Sequence, residues 1–195
     1  MGRRPGQVDP GAPAAPAMDS AAPSPLQRID QDLFDAVAAA AANSPRRRRN
    51  HNFHAPTDRV QRFLNVLQPG TYVRPHRHRR AQPGEGFECF LVLQGAVGLL
   101  LLDAKGRVLQ RERISAAGPL RGIELAEGVI HTLVALSPDA VMMEIKQGPY
   151  EPAADKDFLP GFPLEGSEAA AAQEAAWRAL FGPGGDHSSP DHSLA

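Results

Sequence analysis

The sequence contains one cysteine, Cys89, so no disulfide can form within the chain. Cys89 lies in an apolar run from Phe87 to Leu93, a context that predicts a buried free thiol in a reducing, cytoplasmic environment. The net charge is also small, because 21 Lys and Arg residues are balanced by 22 Asp and Glu residues, which gives a formal charge of −1. This balance indicates neither nucleic acid nor an anionic membrane as a partner.

Long apolar runs are absent as well. No stretch reaches the roughly 18 apolar residues that a membrane-spanning helix needs. Arg3 and Arg4 are not followed by the apolar segment of a secretory signal. We therefore expect a protein that is neither inserted into a membrane nor exported. Met18 precedes an ordinary-looking start, so the sequence leaves both Met1 and Met18 as candidate first residues.

Large apolar side chains are rare at both ends of the chain. Residues 1–24 are mostly Ala, Pro, Gly and Ser, and residues 183–195 form a polar tail. Such segments bury too little surface to offset the entropy of ordering, so we predict disorder over both. The folded part is expected to be one domain over residues 25–166, followed by a helix within residues 167–182.

Two helices are predicted, one on each side of the central region. The start of the first helix is indicated by a capping side chain at Ser24, a proline in the first turn at Pro25 and a capping-box partner at Gln27. This helix should run to about Ala42, with one apolar stripe formed by Ile29, Leu33, Phe34 and Val37. The second should begin at Ser167 and dock through Trp177 and Phe181.

Between these helices the apolar pattern changes to the alternation typical of strands, with turn residues separating short runs. A series of short strands without intervening helices predicts a mainly β fold, a single closed barrel or jelly roll with both helices packed outside it. The predicted strands are Val60 to Leu67, Thr71 to His78, Phe87 to Leu93, Ala96 to Leu102, Arg107 to Ile114, Gly122 to Leu125, His131 to Leu136 and Val141 to Lys146.

Four consecutive arginines, Arg46 to Arg49, separate the first helix from the strands. A charge run of this kind is typical of a solvated linker, but it also suits the binding of an anionic ligand. The sequence leaves both interpretations open.

Three histidines and one glutamate form the strongest chemical pattern. Residues i and i+2 of a strand share a face, so His76 and His78 should point toward one metal ion. Glu88 lies in the next apolar run, where a buried carboxylate needs a cation or must face outward. His131 follows a tight turn at Gly128 and opens another apolar strand. We predict these four residues as the metal ligands, with binding that weakens as pH falls through the histidine range near 6.5.

This spacing resembles the cupin superfamily, whose first motif is G-x5-H-x-H-x3/4-E-x6-G and whose second is G-x5-P-x-G-x2-H-x3-N. The chain does not match these motifs in full. Nine residues separate His78 from Glu88, Ala126 replaces the usual proline, and Ala135 replaces the closing asparagine. The long gap makes Glu85 a rival to Glu88, which we prefer because it keeps the spacing to Gly95. The matching residues are Gly70, His76, His78, Glu88, Gly95, Gly128 and His131.

Within the superfamily, the chain is similar to the WbuC family of cupin-fold metalloproteins over roughly residues 29–166. The resemblance implies a cupin jelly roll, a metal site and a context of O-antigen or lipopolysaccharide biosynthesis. It does not imply a reaction. The segments that carry it include Asn52-Phe53-His54, Thr71 to His78, His131-Thr132-Leu133, Glu144 to Tyr150 and Asp155 to Phe158.

A site with three imidazoles and one carboxylate suits Fe, Mn, Ni or Zn, and the sequence does not choose among these divalent ions. Strand alternation and sequence position nominate Arg62, Arg74, Lys146 and Tyr150 as substrate-binding residues, whereas catalytic residues stay unassigned. The expected ligand is a small, sugar-related molecule, and a homodimer is compatible with the sequence.

Three functional classes are compatible with such a site. The first is a metal-dependent isomerase, epimerase or lyase that acts on a carbohydrate or sugar nucleotide. The second is an Fe(II)-dependent oxygenase, which needs an open position for oxygen on the metal. The third is a non-catalytic module that binds or senses a sugar.

Overall fold

The computed structural model describes residues 25–80, 84, 86–150 and 156–182. The ends predicted to be disordered, residues 1–24 and 183–195, lie outside the described residues, and so does Glu85. Two helices, α1 (Gln31–Ala42) and α2 (Glu168–Ala179), flank ten strands in the described part of the chain. The strands are β1 (Arg48–Asn52), β2 (Val60–Leu67), β3 (His76–Arg77), β4 (Phe87–Gln94), β5 (Ala96–Leu102), β6 (Val108–Ser115), β7 (Gly122–Ala126), β8 (His131–Ala135), β9 (Ala140–Gln147) and β10 (Asp157–Phe158).

The strands form two five-stranded antiparallel sheets. One has the order β1-β2-β9-β4-β7 and the other β10-β3-β8-β5-β6. The pairings are nested, because β2 pairs with β9, β3 with β8, β4 with β7 and β5 with β6. Nested pairing across two sheets is the topology of a jelly roll. The predicted mainly β jelly roll with two flanking helices is therefore confirmed, although the ladders in the described residues do not close the two sheets into one continuous barrel.

All eight predicted strands are present, and two short strands were missed. The predicted strand from Thr71 to His78 is reduced to β3 (His76–Arg77), because Pro75 has no N–H to donate to a ladder. β1 was missed because its polar sequence lacks alternation, and it pairs with β2 along its whole length. β10 is a two-residue strand that pairs with β3.

The core lies between the inner faces of the two sheets. Fully buried side chains from both sheets meet there, among them Leu67, Phe90, Val97, Leu99 and Met142. Cys89 points to the opposite face of β4 from Phe90 and is partly buried, so the predicted buried thiol is only half confirmed. Neither α1 nor α2, the helices of the described residues, is long and apolar enough to cross a membrane.

α1 begins later than the sequence predicts. Its first residue is Gln31, and the Asp30 carboxylate caps it by accepting a hydrogen bond from the Leu33 N–H at 3.1 Å. Ile29 therefore precedes the helix and is exposed. The rest of the predicted stripe is correct, because Phe34 and Val37 are buried against β2.

α2 docks as predicted, with Ser167 as its capping residue. The Trp177 ring stacks on Tyr72, with centroids 5.8 Å apart and planes 3° from parallel. Phe181 lies one turn further on against Gly98, where an added Cβ would collide with its ring. The second helix is thus fixed to the outside of the β5–β8 sheet by aromatic packing.

The arginine run is a structured segment. Arg48 belongs to β1, and both Arg46 and Arg48 form ion pairs with Glu165, at 2.7 and 2.8 Å. Arg48 also donates a hydrogen bond to the Tyr72 carbonyl at 2.8 Å, and only 10% of its side chain is exposed. The linker interpretation is therefore wrong for Arg48, which ties β1 to the segments before β3 and α2.

We expect Arg48→Ala to lower the free energy of unfolding by about 1–3 kcal/mol, because it leaves buried hydrogen-bond partners unsatisfied. Arg49→Ala is the matched control, since Arg49 is exposed in the same strand. It should change stability by less than about 0.5 kcal/mol. Urea unfolding of both variants measures the difference, and equal effects would contradict the anchoring role of Arg48.

Candidate metal centre

Three histidines converge at one end of the jelly roll because neighbouring strands bring them there. His76 on β3 and His131 on β8 are direct partners in the antiparallel ladder, so both point to the inner face. His78 follows His76 by two residues and shares its side. The turn before β8 is fixed by Gly128, which has a positive φ of 81° and donates its N–H to the His78 carbonyl at 3.0 Å.

The side-chain donors of these histidines lie close enough to bind one ion. A ligating nitrogen of each lies within 4.8 Å of the others, and all three side chains are buried. The Nδ1 atoms of His76 and His131 hydrogen-bond the carbonyls of Arg74 and Val129, at 2.9 and 3.1 Å. A carbonyl oxygen can only accept a hydrogen bond, so the ring nitrogen that faces it must carry the proton. These bonds therefore place the proton on Nδ1 and leave Nε2 as the metal donor.

The Glu88 carboxylate completes the cluster from the opposite sheet. Its Oε1 lies 3.3 Å from Nε2 of His78, and its Oε2 lies 3.2 Å from Nε2 of His131. Two ligands about 2.0–2.2 Å from one ion at angles of roughly 90–110° are about 3.0–3.5 Å apart, so these spacings suit a shared metal. Glu88 is 5% exposed, and a buried carboxylate beside the imidazoles of His78 and His131 fits a divalent transition metal.

A second buried carboxyl supports Glu88. Glu144 lies on the inner face of β9 and hydrogen-bonds the Glu88 carboxylate. Burial, and then the charge of Glu88, raise the pKa of Glu144 well above its usual range. Burial alone would also raise the pKa of Glu88, but His131 and His78 outweigh it and hold that pKa well below its usual range. These opposite directions favour the proton on Glu144 and leave Glu88 suited to act as an anionic ligand.

Of the four predicted substrate-binding residues, two lie near the cluster. Lys146 is the cross-strand partner of Glu88 and is 3% exposed, with its Nζ 3.9 Å from Oε1 of Glu144. Arg74 supplies the carbonyl that orients His76, and its guanidinium lies over the Phe158 ring at 5.1 Å. Lys146 thus lies opposite Glu88, and Arg74 lies next to His76.

The other two predicted substrate-binding residues do not join the cluster. Arg62 lies on the outer face of β2, where its Nη2 pairs with Asp58 at 2.9 Å. Tyr150 is 43% exposed, and its N–H donates to the Pro56 carbonyl at 2.8 Å. Both contacts tie β2 and the segment after β9 to the loop between β1 and β2.

Four polar residues near the centre were not predicted from the sequence. Glu144 was discoverable, because strand alternation places it on the same face as Lys146. Gln61 and Asn65 follow from the same rule applied to β2, where Gln61 is the partner of Lys146 and Asn65 donates to Glu144 at 3.3 Å. Arg80 lies in a loop, where no period indicates the direction of a side chain.

The centre opens to solvent through a pocket between β4, β7 and the turn before β8. It is a small cleft, and His78, Arg80, Glu88 and His131 contribute to its wall with Phe87 and Leu125. A ligand group that enters this space therefore meets His78, Glu88 and His131, whereas His76 does not line it.

Metal binding should weaken at a lower pH than the histidine range near 6.5 that the sequence predicts, and the stability of the metal-free protein should depend on pH as well. Burial is the main cause that lowers the pKa of His76 and His131 below the ordinary 6.5. As pH falls, these histidines are therefore protonated in the unfolded chain before they are protonated in the folded protein. Metal-free protein should keep its full stability above pH 6.5 and lose stability as pH falls toward the lowered pKa values. Metal should accordingly stay bound to folded protein at pH 6.

Thermal unfolding of metal-free protein between pH 7.5 and 5 measures this effect. The expected melting temperature is constant above about pH 7 and falls below about pH 6.5. His76→Gln removes one of the buried imidazoles and should reduce the slope. A wild-type melting temperature that does not change over this range would contradict the assignment of neutral, buried imidazoles.

One family of proteins matches part of the chain at the level of sequence. Residues 29–114 match a family described as a domain of unknown function, DUF6016. No curated protein matches the chain at a significant level.

Several solved structures are similar to part of the chain. A structure of CapF with the inhibitor 3-isopropenyl-tropolone is 22% identical, with a TM-score of 0.49 over 60% of this chain and 33% of that chain. KdgF from Halomonas sp. is 21% identical, with a TM-score of 0.41 over 57% and 86% of the two chains. Oxalate decarboxylase from Bacillus subtilis is 17% identical, with a TM-score of 0.41 over 53% and 24%. The present chain thus spans about a third of the CapF chain that it matches.

Proposed function

We propose that this protein is a metal-dependent cupin of the WbuC type that binds a carbohydrate or sugar-nucleotide intermediate of surface polysaccharide biosynthesis. The observation that carries the proposal is the convergence of His76, His78, Glu88 and His131 in one buried cluster next to an open pocket. The carbohydrate context is supported by the sequence resemblance to the WbuC family. We place the protein in the cytoplasm because its single cysteine, Cys89, suits a reducing environment.

Each residue of the cluster has a distinct task in this proposal. The imidazoles of His76, His78 and His131 and the Glu88 carboxylate would hold one divalent ion, Fe, Mn, Ni or Zn. When bound, such an ion supplies Lewis acidity toward an oxygen of the ligand. The Arg74 and Val129 carbonyls orient two imidazoles, and Glu144 orients the Glu88 carboxylate through their shared hydrogen bond.

Lys146 is the best-placed of the predicted substrate-binding residues. Its ammonium group is buried beside Glu144 and faces the same interior as Glu88. Buried cations of this kind orient polar ligands because their charge is weakly screened. In a catalytic cupin, Lys146 would position the sugar at the site where the three histidines and Glu88 would hold the ion, as an isomerase, epimerase or lyase requires.

Thermal-shift assays of metal-loaded, full-length protein with UDP-glucose, dTDP-glucose and free hexoses test the proposed function. We expect at least one of these ligands to raise the melting temperature, and the increase should disappear on chelation and in His131→Ala. A ligand that binds without forming a product would indicate a sugar-sensing module. Oxygen uptake by the iron-loaded protein would indicate an oxygenase. The proposal is wrong if none of these ligands changes the melting temperature.

A further inference from the structure

Arg80 places a positive charge beside the proposed metal centre. Its side chain lines the same open space as His78, Glu88 and His131. Across residues 25–80, 84, 86–150 and 156–182, no carboxylate pairs with its guanidinium group, and its Nε is buried without a hydrogen-bond partner. The neighbouring Arg79, in contrast, pairs with Asp157 at 3.5 Å.

The position of Arg80 is fixed from two sides. Its backbone N–H donates to the Glu127 carboxylate at 2.7 Å, and its Nη2 donates to the Gln147 carbonyl. Glu127 also accepts hydrogen bonds from the N–H groups of Gly84 and Gly86, at 2.8 and 3.2 Å. The guanidinium group is therefore oriented before any ligand binds, which lowers the entropic cost of using it.

The charge of this region favours an anion. A divalent ion with three neutral imidazoles and one carboxylate keeps one positive charge, and Arg80 adds a second beside it. The Glu127 carboxylate also lines this space, but the N–H groups of Arg80, Gly84 and Gly86 already engage it. A guanidinium group presents a planar array of N–H donors that matches the oxygens of a carboxylate or a phosphate. A neutral sugar would offer no charge to complement Arg80 in a partly buried site.

We propose that Arg80 forms an oxyanion subsite beside the metal centre, so that the ligand is an acidic sugar or a sugar phosphate. The inference rests on the proposed function and deepens it, because it defines the charge class of the carbohydrate. The pocket opens to solvent, so only the carboxylate or phosphate group has to enter it.

Calorimetric titration of metal-loaded, full-length protein with glucuronate, glucose 1-phosphate and glucose tests this subsite. The wild type should bind at least one of the anionic sugars about tenfold or more tightly than glucose. The anion that shows this preference identifies a carboxylate or a phosphate as the recognised group. Arg80→Gln should abolish the preference while metal content and glucose affinity stay unchanged.

Arg79→Gln is the matched control, because it removes the same charge from the neighbouring residue. The Arg79 side chain is 59% exposed. This variant should keep the preference for the anionic sugar. The inference is overturned if the wild type does not discriminate, if Arg80→Gln still discriminates, or if both variants lose discrimination equally. Should no sugar bind, inorganic phosphate separates the two proposals: Arg80-dependent binding of phosphate supports the subsite and contradicts the sugar function, and its absence contradicts both.

Discussion

Replacing His131 with alanine should remove most of the bound metal and, with it, the stabilisation that metal gives to the folded protein. His131 contributes a buried donor, and its Nε2 lies 3.2 Å from the Glu88 carboxylate. An ion present at 1,000 times its dissociation constant stabilises the folded state by about 4 kcal/mol, since it does not bind the unfolded chain. The difference in melting temperature with and without chelator measures this increment.

The chelator-sensitive increment matters more than total stability, because His131→Ala also leaves a cavity. His54→Ala is the control. His54 accepts a hydrogen bond from the Arg62 N–H at 2.9 Å, so its loss affects only the basal melting temperature and leaves the cluster intact. Wild type and His54→Ala should show the same chelator effect, whereas His131→Ala should show almost none. An undiminished chelator effect in His131→Ala would place the metal elsewhere.

Trp177→Ala should strongly destabilise the folded protein without touching the metal centre. Trp177 is 5% exposed and packs between Tyr72 and Phe162, with ring centroids 5.8 and 5.7 Å away. Truncation of a buried aromatic side chain costs about 3–5 kcal/mol, through lost burial and the cavity left behind. Denaturant unfolding monitored by circular dichroism measures the loss.

Ala172→Ser on the exposed side of α2 provides the matched control, and it should change the free energy of unfolding by less than about 0.5 kcal/mol. Trp177→Phe keeps an aromatic ring and should lie between the two. If Trp177→Ala unfolds within about 1 kcal/mol of the wild type, α2 does not contribute to the domain as its packing indicates.

The strands were predictable because their alternation is local. β2 and β5 have the predicted bounds, since their apolar residues face a core that the sequence pattern already requires. The E-x6-G spacing also has a physical basis, because Gly95 adopts a positive φ of 70° and an added Cβ would collide with Ser137. Patterns of this kind depend on the chain's own geometry.

The remaining features depend on partners distant in sequence. Arg48 looks like part of a solvated run until Glu165, far along the chain, pairs with it. The start of α1 was misplaced because Asp30 competes with Ser24 as a capping residue, and both suit the position. Spacing alone predicts that the three histidines meet, but the role of Arg80 depends on its position in the pocket wall beside His78 and His131, which no local pattern indicates.

Metal quantification on freshly purified, untagged, full-length protein tests the central claim most directly. We predict about one equivalent of a single divalent transition metal per chain, since we propose that the clustered His76, His78 and His131 bind one ion together with Glu88. Less than about a tenth of an equivalent of every transition metal, also after incubation with Fe(II), Mn(II), Ni(II) and Zn(II), would contradict it.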